Sequence, residues 1–236
     1  MEFGNEFEGA RYKRARELLG LDKTWDILRG GEKERLLPSP ELRKVFDNFD
    51  TTTNPREPNI EKKQGIVSEV LRRQLLDEDV LQKHPSVYIG SFVDFLYPLA
   101  LGSRNIVLVD PVLENEKVTP ALAGLLKKIT GCEPFVSRNA ITVPFDFGDG
   151  SEEVTIRIEA KPYIPPEEAG GMEDRYTLPD QAGLVLLFAS QGPDAKVVLE
   201  EGIERRMVEG GVILCDDVLT RVHNGKKEEI ELGSER

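Results

Sequence analysis

Four short apolar runs that do not alternate constrain this chain more than any other feature. They are "VYI" at 87–89, "IVLVD" at 106–110, "GLVLLFAS" at 183–190 and "GVILCDD" at 211–217, and charge enters only where two of them stop. A strand with one wet face alternates apolar and polar side chains, so an unbroken run needs cover on both faces. Strands of this kind, spaced by helical segments, imply a parallel sheet flanked by helices.

The segments between the runs supply those helices. Residues 94–101 read as a first helix after the first run. In "VTPALAGLLKKITG" Thr119 stands as a cap, Pro120 at the first helical position and Gly131 just past the end. "DAKVVLEEGIERRMVEG" (194–210) reads as a third helix, with Val197, Val198, Ile203 and Met207 inward. "AITVPFDFGDGSEEVTIRIEAKPY" alternates on both sides of "GDGS" and predicts a β-hairpin whose second arm, 154–158, joins the sheet. Residues 164–181, rich in Pro, Gly and acids, form a long loop and a candidate lid. After Asp217 only 19 mostly polar residues remain, little room for further strands.

Before residue 84 the texture is helical. "PSPELRKVFDNFD" has Ser39 as N-cap and Pro40 at the first position, with Leu42, Val45, Phe46 and Phe49 on one stripe. A second helix starts near Asn59 and turns Ile66, Val67, Val70, Leu71 and Leu75 to one face. The loop "DTTTNPREPN" between them marks a boundary. The expected organisation is a helical extension over 1–58 and a main domain over 59–236. The expected fold is α/β: a Rossmann-like, doubly wound, mainly parallel sheet with helices on both faces, plus the extension and the inserted hairpin.

Composition excludes several functions. A formal charge of -12 repels polyanions and argues against nucleic-acid binding. Basic clusters such as "RYKRAR", Arg72 with Arg73, and Arg205 with Arg206 read as solvated helix faces. Two cysteines, Cys132 and Cys215, without CxxC spacing, and two histidines suggest neither a disulfide framework nor a metal centre; both thiols read as small buried hydrophobes. No apolar run is long enough for a membrane, and the acidic start does not resemble a secretory signal. The expectation is a cytoplasmic protein acting on a small-molecule or protein substrate, with homo-oligomerisation left open.

Chemistry concentrates at two strand ends. Gly90 follows the first run, where a residue without Cβ lets a ligand approach the backbone. Asp110 ends the second, 20 residues later, the spacing at which a carboxylate meets a nucleotide's ribose hydroxyls. Together they point to an adenosine-type ligand.

With these elements the chain resembles the class I S-adenosylmethionine-dependent methyltransferases. The resemblance runs over about 85–217, on "VYIGSFVD", "IVLVD", "AGLVLLFAS" and "RMVEGGVILCDD". It implies S-adenosylmethionine as cofactor, with Gly90 and Ser91 against its methionine part, Asp110 on the ribose, and Pro111 with Val112 beside the adenine. Ala160 and Lys161 would reach the adenine ring, while Ser190, within 189–191, would face the transferable methyl. "GSFVD" is similar to a variant motif whose aspartate helps bind the amino group of methionine. That implies a role for Asp94, and Phe92, where the usual second glycine falls, would border the same cofactor chain.

Each residue also has a purely structural reading: Gly90 as a tight turn, Asp110 as a turn cap before Pro111, Asp94 as a helix N-cap. Asp216 and Asp217 read as a solvated strand end. The expected function is S-adenosylmethionine binding with methyl transfer. The alternative is a non-catalytic, methyltransferase-like scaffold or partner-binding protein, motivated by Phe92, the short tail and the missing Asn/Asp-Pro-Pro-aromatic sequence after the third apolar run. A nicotinamide-dependent oxidoreductase is disfavoured, because "GSFVDF" lacks the further glycines that a pyrophosphate needs.

Overall fold

All four apolar runs become strands. The computed structural model describes residues 5–20, 60–91, 95–111, 115–166, 170–188 and 201–232. The predicted helix after Ser39, the first half of the predicted 194–210 helix, and Phe92, Asp94, Val112 and Ser190 lie outside these residues. In chain order the elements are α1 (Asn5–Gly20), α2 (Ile60–Arg72), α3 (Glu78–Lys83), β1 (Ser86–Ile89), α4 (Leu96–Ala100), β2 (Asn105–Val109) and α5 (Asn115–Thr130). There follow β3 (Phe135–Val136), β4 (Ala140–Asp146), β5 (Ser151–Glu159), β6 (Ala182–Leu187), a 3-10 turn (Ile203–Arg206), β7 (Met207–Cys215), β8 (Val218–His223) and β9 (Lys226–Glu231).

One nine-stranded sheet has the order β3-β4-β5-β2-β1-β6-β7-β8-β9. The five central strands, β5 to β7 in that order, run parallel. Both flanks are antiparallel: β3 and β4 on one side, β8 and β9 on the other. Successive side chains point to opposite faces, which sorts the core into two layers. Tyr88, Ile106, Leu108, Leu184, Leu186, Val212 and Leu214 face one way. Val87, Ile89, Val107, Val109, Val185, Leu187 and Ile213 face the other.

The two faces are covered differently, and this overturns the expected doubly wound, Rossmann-like architecture with helices on both faces. Every described α-helix that buries apolar side chains does so on the first face: Ala15 and Leu18 of α1, Val67 and Val70 of α2, Leu81 of α3, Leu99 of α4, Leu122 and Leu126 of α5. On the second face the described cover is Leu178 and the half-buried Tyr163 and Tyr176 from the β5–β6 connection, with Ile203 of the 3-10 turn. The sheet is mixed, and helices are few among the described residues. The reason is local: Pro162, Pro165, Pro166, Gly170, Gly171 and Pro179 keep the described part of the β5–β6 connection from forming a helix, because proline removes a helical N–H and glycine adds backbone entropy.

The predicted 194–210 helix fails for a related reason. Gly202 (φ 76°) and Gly210 (φ 77°) adopt left-handed backbone, and what lies between is one 3-10 turn followed by strand. Ile203 and Met207 are nevertheless buried, against the second face. "EGG" forms an irregularity inside β7: between the pairs Ala182–Met207 and Leu184–Val212, β7 advances five residues while β6 advances two. Gly211 permits this, since a Cβ there would stand 2.9 Å from the Val208 carbonyl oxygen.

The tail after Asp217 holds a complete antiparallel pair, contrary to expectation. Asn224 (φ 51°) and Gly225 (φ 67°) both take positive φ, the conformation of a type I′ hairpin turn that suits twisted strands. Within α5, Thr119 and Pro120 lie inside the helix rather than at its cap, while Gly131 (φ 72°) does sit just past its end. Of the stripe expected on α2, Ile66, Val67 and Val70 are buried and Leu71 is half-buried, while Leu75, also buried, lies past the end of the helix.

The β4–β5 hairpin is held against α1 by charge. Arg11 pairs with Asp149 and with Glu78 of α3, and the Arg14 guanidinium lies 5.4 Å from the Phe145 ring centroid. Arg104, 5% exposed, grips Glu152 with two nitrogens at 2.7 and 2.9 Å while covering the Phe147 ring at 3.5 Å. Such a bidentate pair fixes geometry as well as charge. It holds the Glu152 carboxyl below its ordinary range, chiefly through the hydrogen bond, against a smaller opposing effect of burial.

Candidate functional site at the carboxyl ends of the parallel strands

The central strands finish in line. Ile89 pairs with Val109 and Leu187, Val109 with Glu159, and Leu187 with Cys215. The next residue of each strand therefore stands beside its neighbours in the order Ala160, Asp110, Gly90, Phe188, Asp216. Backbone donors fasten this row: Gly90 N–H to the Val109 carbonyl (2.9 Å), Asp110 N–H to that of Glu159 (3.2 Å), Asp216 N–H to that of Leu187 (2.9 Å). Backbone groups withdrawn from water need such partners, and these bonds tie the strand exits of this ledge to one another.

Of the residues singled out from sequence, the structure brings Gly90, Ser91, Asp110 and Pro111 together. Gly90 has φ 63°, a left-handed conformation that a residue without Cβ adopts free of strain. Ser91 is buried, Gly90 and Asp110 are half-buried, and Pro111 is exposed. Ser91 N–H approaches the Val109 carbonyl at 3.4 Å, closing a turn over the end of β2. Ala160 and Lys161 lie at the β5 end, half-buried, with Lys161 3.0 Å from Asp174.

Several groups here escaped the sequence reading. Phe188 is buried and meets Tyr88 and Tyr97 edge-on, with centroids 5.9 and 5.6 Å away. Lys63, in the first turn of α2, carries its Nζ 5.8 Å from the Phe188 ring centroid. The only sequence signal for it was a lysine at the start of an amphipathic helix, which nothing local ties to strands beginning some 20 residues later. On the second face Tyr176 donates its N–H to the Pro162 carbonyl at 2.8 Å and bridges to Tyr163. Burial, reinforced by the Glu159 charge, pushes the Tyr176 hydroxyl far up, so it remains a hydrogen-bond donor at neutral pH. Cys215, like Cys132, is half-buried rather than buried. Desolvation, with Asp216 and Asp217 adding to it, raises its thiol and makes it a poor nucleophile.

A concavity of about 680 Å³ lies away from this ledge on the helical face, walled by α1, α2, α3 and α4. Its lining combines the apolar Leu18, Val70, Leu81 and Leu99 with Arg11, Arg14, Arg72 and Arg104. Each of these arginines is already matched by a carboxylate: Glu78 and Asp149, Glu17, Glu69 and Glu152 respectively. None of the residues that the resemblance assigns to the cofactor lines it. Among the described residues no group of three or more His, Cys, Asp or Glu is disposed to hold a metal ion, and no helix is long and apolar enough to cross a membrane.

In comparisons with known proteins, no family model, no curated protein and no solved structure matches this chain.

Proposed function

We propose that the ledge at the ends of β1 and β2 binds an adenosine-type ligand, S-adenosylmethionine foremost, and that the protein transfers its methyl group to a small molecule or protein. The observation that carries this is the juxtaposition of Gly90 and Asp110. Ile89 and Val109 are paired in register, so the left-handed glycine and the carboxylate leave adjacent strands side by side. A backbone without Cβ at Gly90 lets a ligand lie close, while the Asp110 carboxylate one strand over can accept both hydrogen bonds of a vicinal diol.

These residues fit the cofactor: Gly90 and Ser91 would border its methionine part and Asp110 its ribose. Bound there, the cofactor supplies a methyl group activated by its sulfonium. The chain's own work would be orientation and exclusion of water, which convert a bimolecular encounter into a held geometry. The preformed hydrogen bonds of the ledge suit that task.

A second reading, partner binding without catalysis, draws on β3. Phe135 is 73% exposed and Val136 43% exposed, on a strand paired on one side only. A large apolar side chain at an open sheet edge is a feature of interaction surfaces.

Calorimetric titration with S-adenosylmethionine, S-adenosylhomocysteine and NAD separates the possibilities. Saturable binding of the first two, weakened in Asp110→Ala, is the expected result. Binding of NAD alone overturns the methyl-transfer assignment, and binding of none favours the partner-binding alternative.

A further inference from the structure

We infer that Lys63 is a ligand-binding residue of the same ledge, supplying the positive charge for an anionic terminus of the bound molecule. The inference rests on the adenosine-type reading above and adds to it a chemical requirement: beyond its diol, the ligand carries a carboxylate or comparable anion.

Three observations converge on Lys63. First, alternation fixes the side. Ile89, Val109 and Leu187 all face the second layer, so the residues after them step toward the first, and Phe188 does pack there. Second, the Lys63 ammonium stands over the Phe188 ring, at 5.8 Å from its centroid, on that same side. Third, Phe188 and Gly90 follow directly from the paired residues Leu187 and Ile89. The cation thus belongs to the strand end next to Gly90, on the side opposite from β2 and Asp110.

The ledge has a polarity as a result. Asp110 and Phe188 are separated by two strand spacings, about 10 Å, with Gly90 between them. A ligand lying across Gly90 meets a hydrogen-bond-accepting carboxylate at one end and an ammonium at the other. A molecule with a neutral diol at one end and an anion at the other matches that order. Phe188, wedged between Tyr88 and Tyr97, holds the lysine's side of the ledge in place, and an ammonium over an aromatic face in a partly desolvated setting is favourable in its own right.

The test titrates the full-length protein with S-adenosylhomocysteine, which carries both diol and carboxylate, and with adenosine, which carries the diol alone. In Lys63→Gln the affinity for S-adenosylhomocysteine should fall about tenfold, the scale of one charge-assisted hydrogen bond, while adenosine binds as before. Lys63→Arg should recover most of the loss, and the thermal midpoint of each variant reports that the fold is kept. If Lys63→Gln binds S-adenosylhomocysteine as tightly as the parent, or loses adenosine to the same degree, the role of Lys63 is overturned while the adenosine-type reading stands. Failure of the parent protein to bind either probe overturns both.

Discussion

Gly90 donates its backbone N–H to the carbonyl of Val109 at 2.9 Å, which ties the exit of β1 to the last residue of β2 and sets Gly90 beside Asp110. Because Gly90 has φ 63°, any side chain there is strained. Gly90→Ala should cost about 1–2 kcal/mol of stability, the penalty of left-handed backbone for an L-residue. It should also weaken the ligand more than that strain alone predicts. Urea unfolding and calorimetry on the same preparation measure the two effects.

Asp110 is the residue whose loss should change ligand choice rather than stability. Asp110→Asn keeps the backbone bond to Glu159 and most of the shape. The expected result is about tenfold weaker adenosine binding with 2′-deoxyadenosine little affected, since the second ligand offers one hydroxyl fewer to a carboxylate. Equal losses for both ligands would place the diol elsewhere.

Two glycines should respond to alanine with opposite signs. Gly211→Ala places a Cβ 2.9 Å from the Val208 oxygen and 3.1 Å from that of Ala182, both backbone atoms of the sheet, and should destabilise by about 1–3 kcal/mol. Gly65 lies in α2 with open space around it, so Gly65→Ala should stabilise by about 0.5–1 kcal/mol. Thermal unfolding of the pair, compared with the parent, checks both.

Acid should loosen the hairpin against the helices through Glu152. Its folded-state carboxyl is held below 4.5, mainly by the Arg104 hydrogen bond, so the pair contributes stability above the unfolded value. That contribution disappears as pH falls through the lower, folded value. Glu152→Gln should therefore be less stable than the parent at neutral pH, with the difference narrowing below pH 4.5. Denaturant unfolding across the range reads this directly.

Individual strands were legible where sequence and burial say the same thing. "VYI" and "IVLV" needed two covered faces and received them, and the alternation around "GDGS" marked β4 and β5 as a pair. What could not be read was what covers the second face. Val197, Val198, Ile203 and Met207 follow helical spacing, yet with Gly202 and Gly210 at positive φ the described part is one 3-10 turn followed by strand, a tertiary preference that overrides periodicity. "HNGK" was the missed signal for β8 and β9: Asn-Gly is among the strongest short hairpin cues, but the charged residues of β9 hide it.

The site was half legible for the same reason. Gly90 and Asp110 follow their own strands directly, so 20 residues of spacing carry three-dimensional meaning. Lys63 and Tyr176 reach the strand ends from distant segments, and no local pattern reports such an approach.

The two margins of the sheet differ in what they permit. β9 presents Lys226, Lys227, Glu228 and Glu229, all exposed, and a charged margin of that kind discourages an incoming strand. β3 presents Phe135 and is only two residues long. Head-to-tail growth needs both margins to be receptive, whereas a closed pair of like margins needs only one. Among the described residues, then, the sheet offers an incoming strand one apolar margin and opposes it at the other with charge.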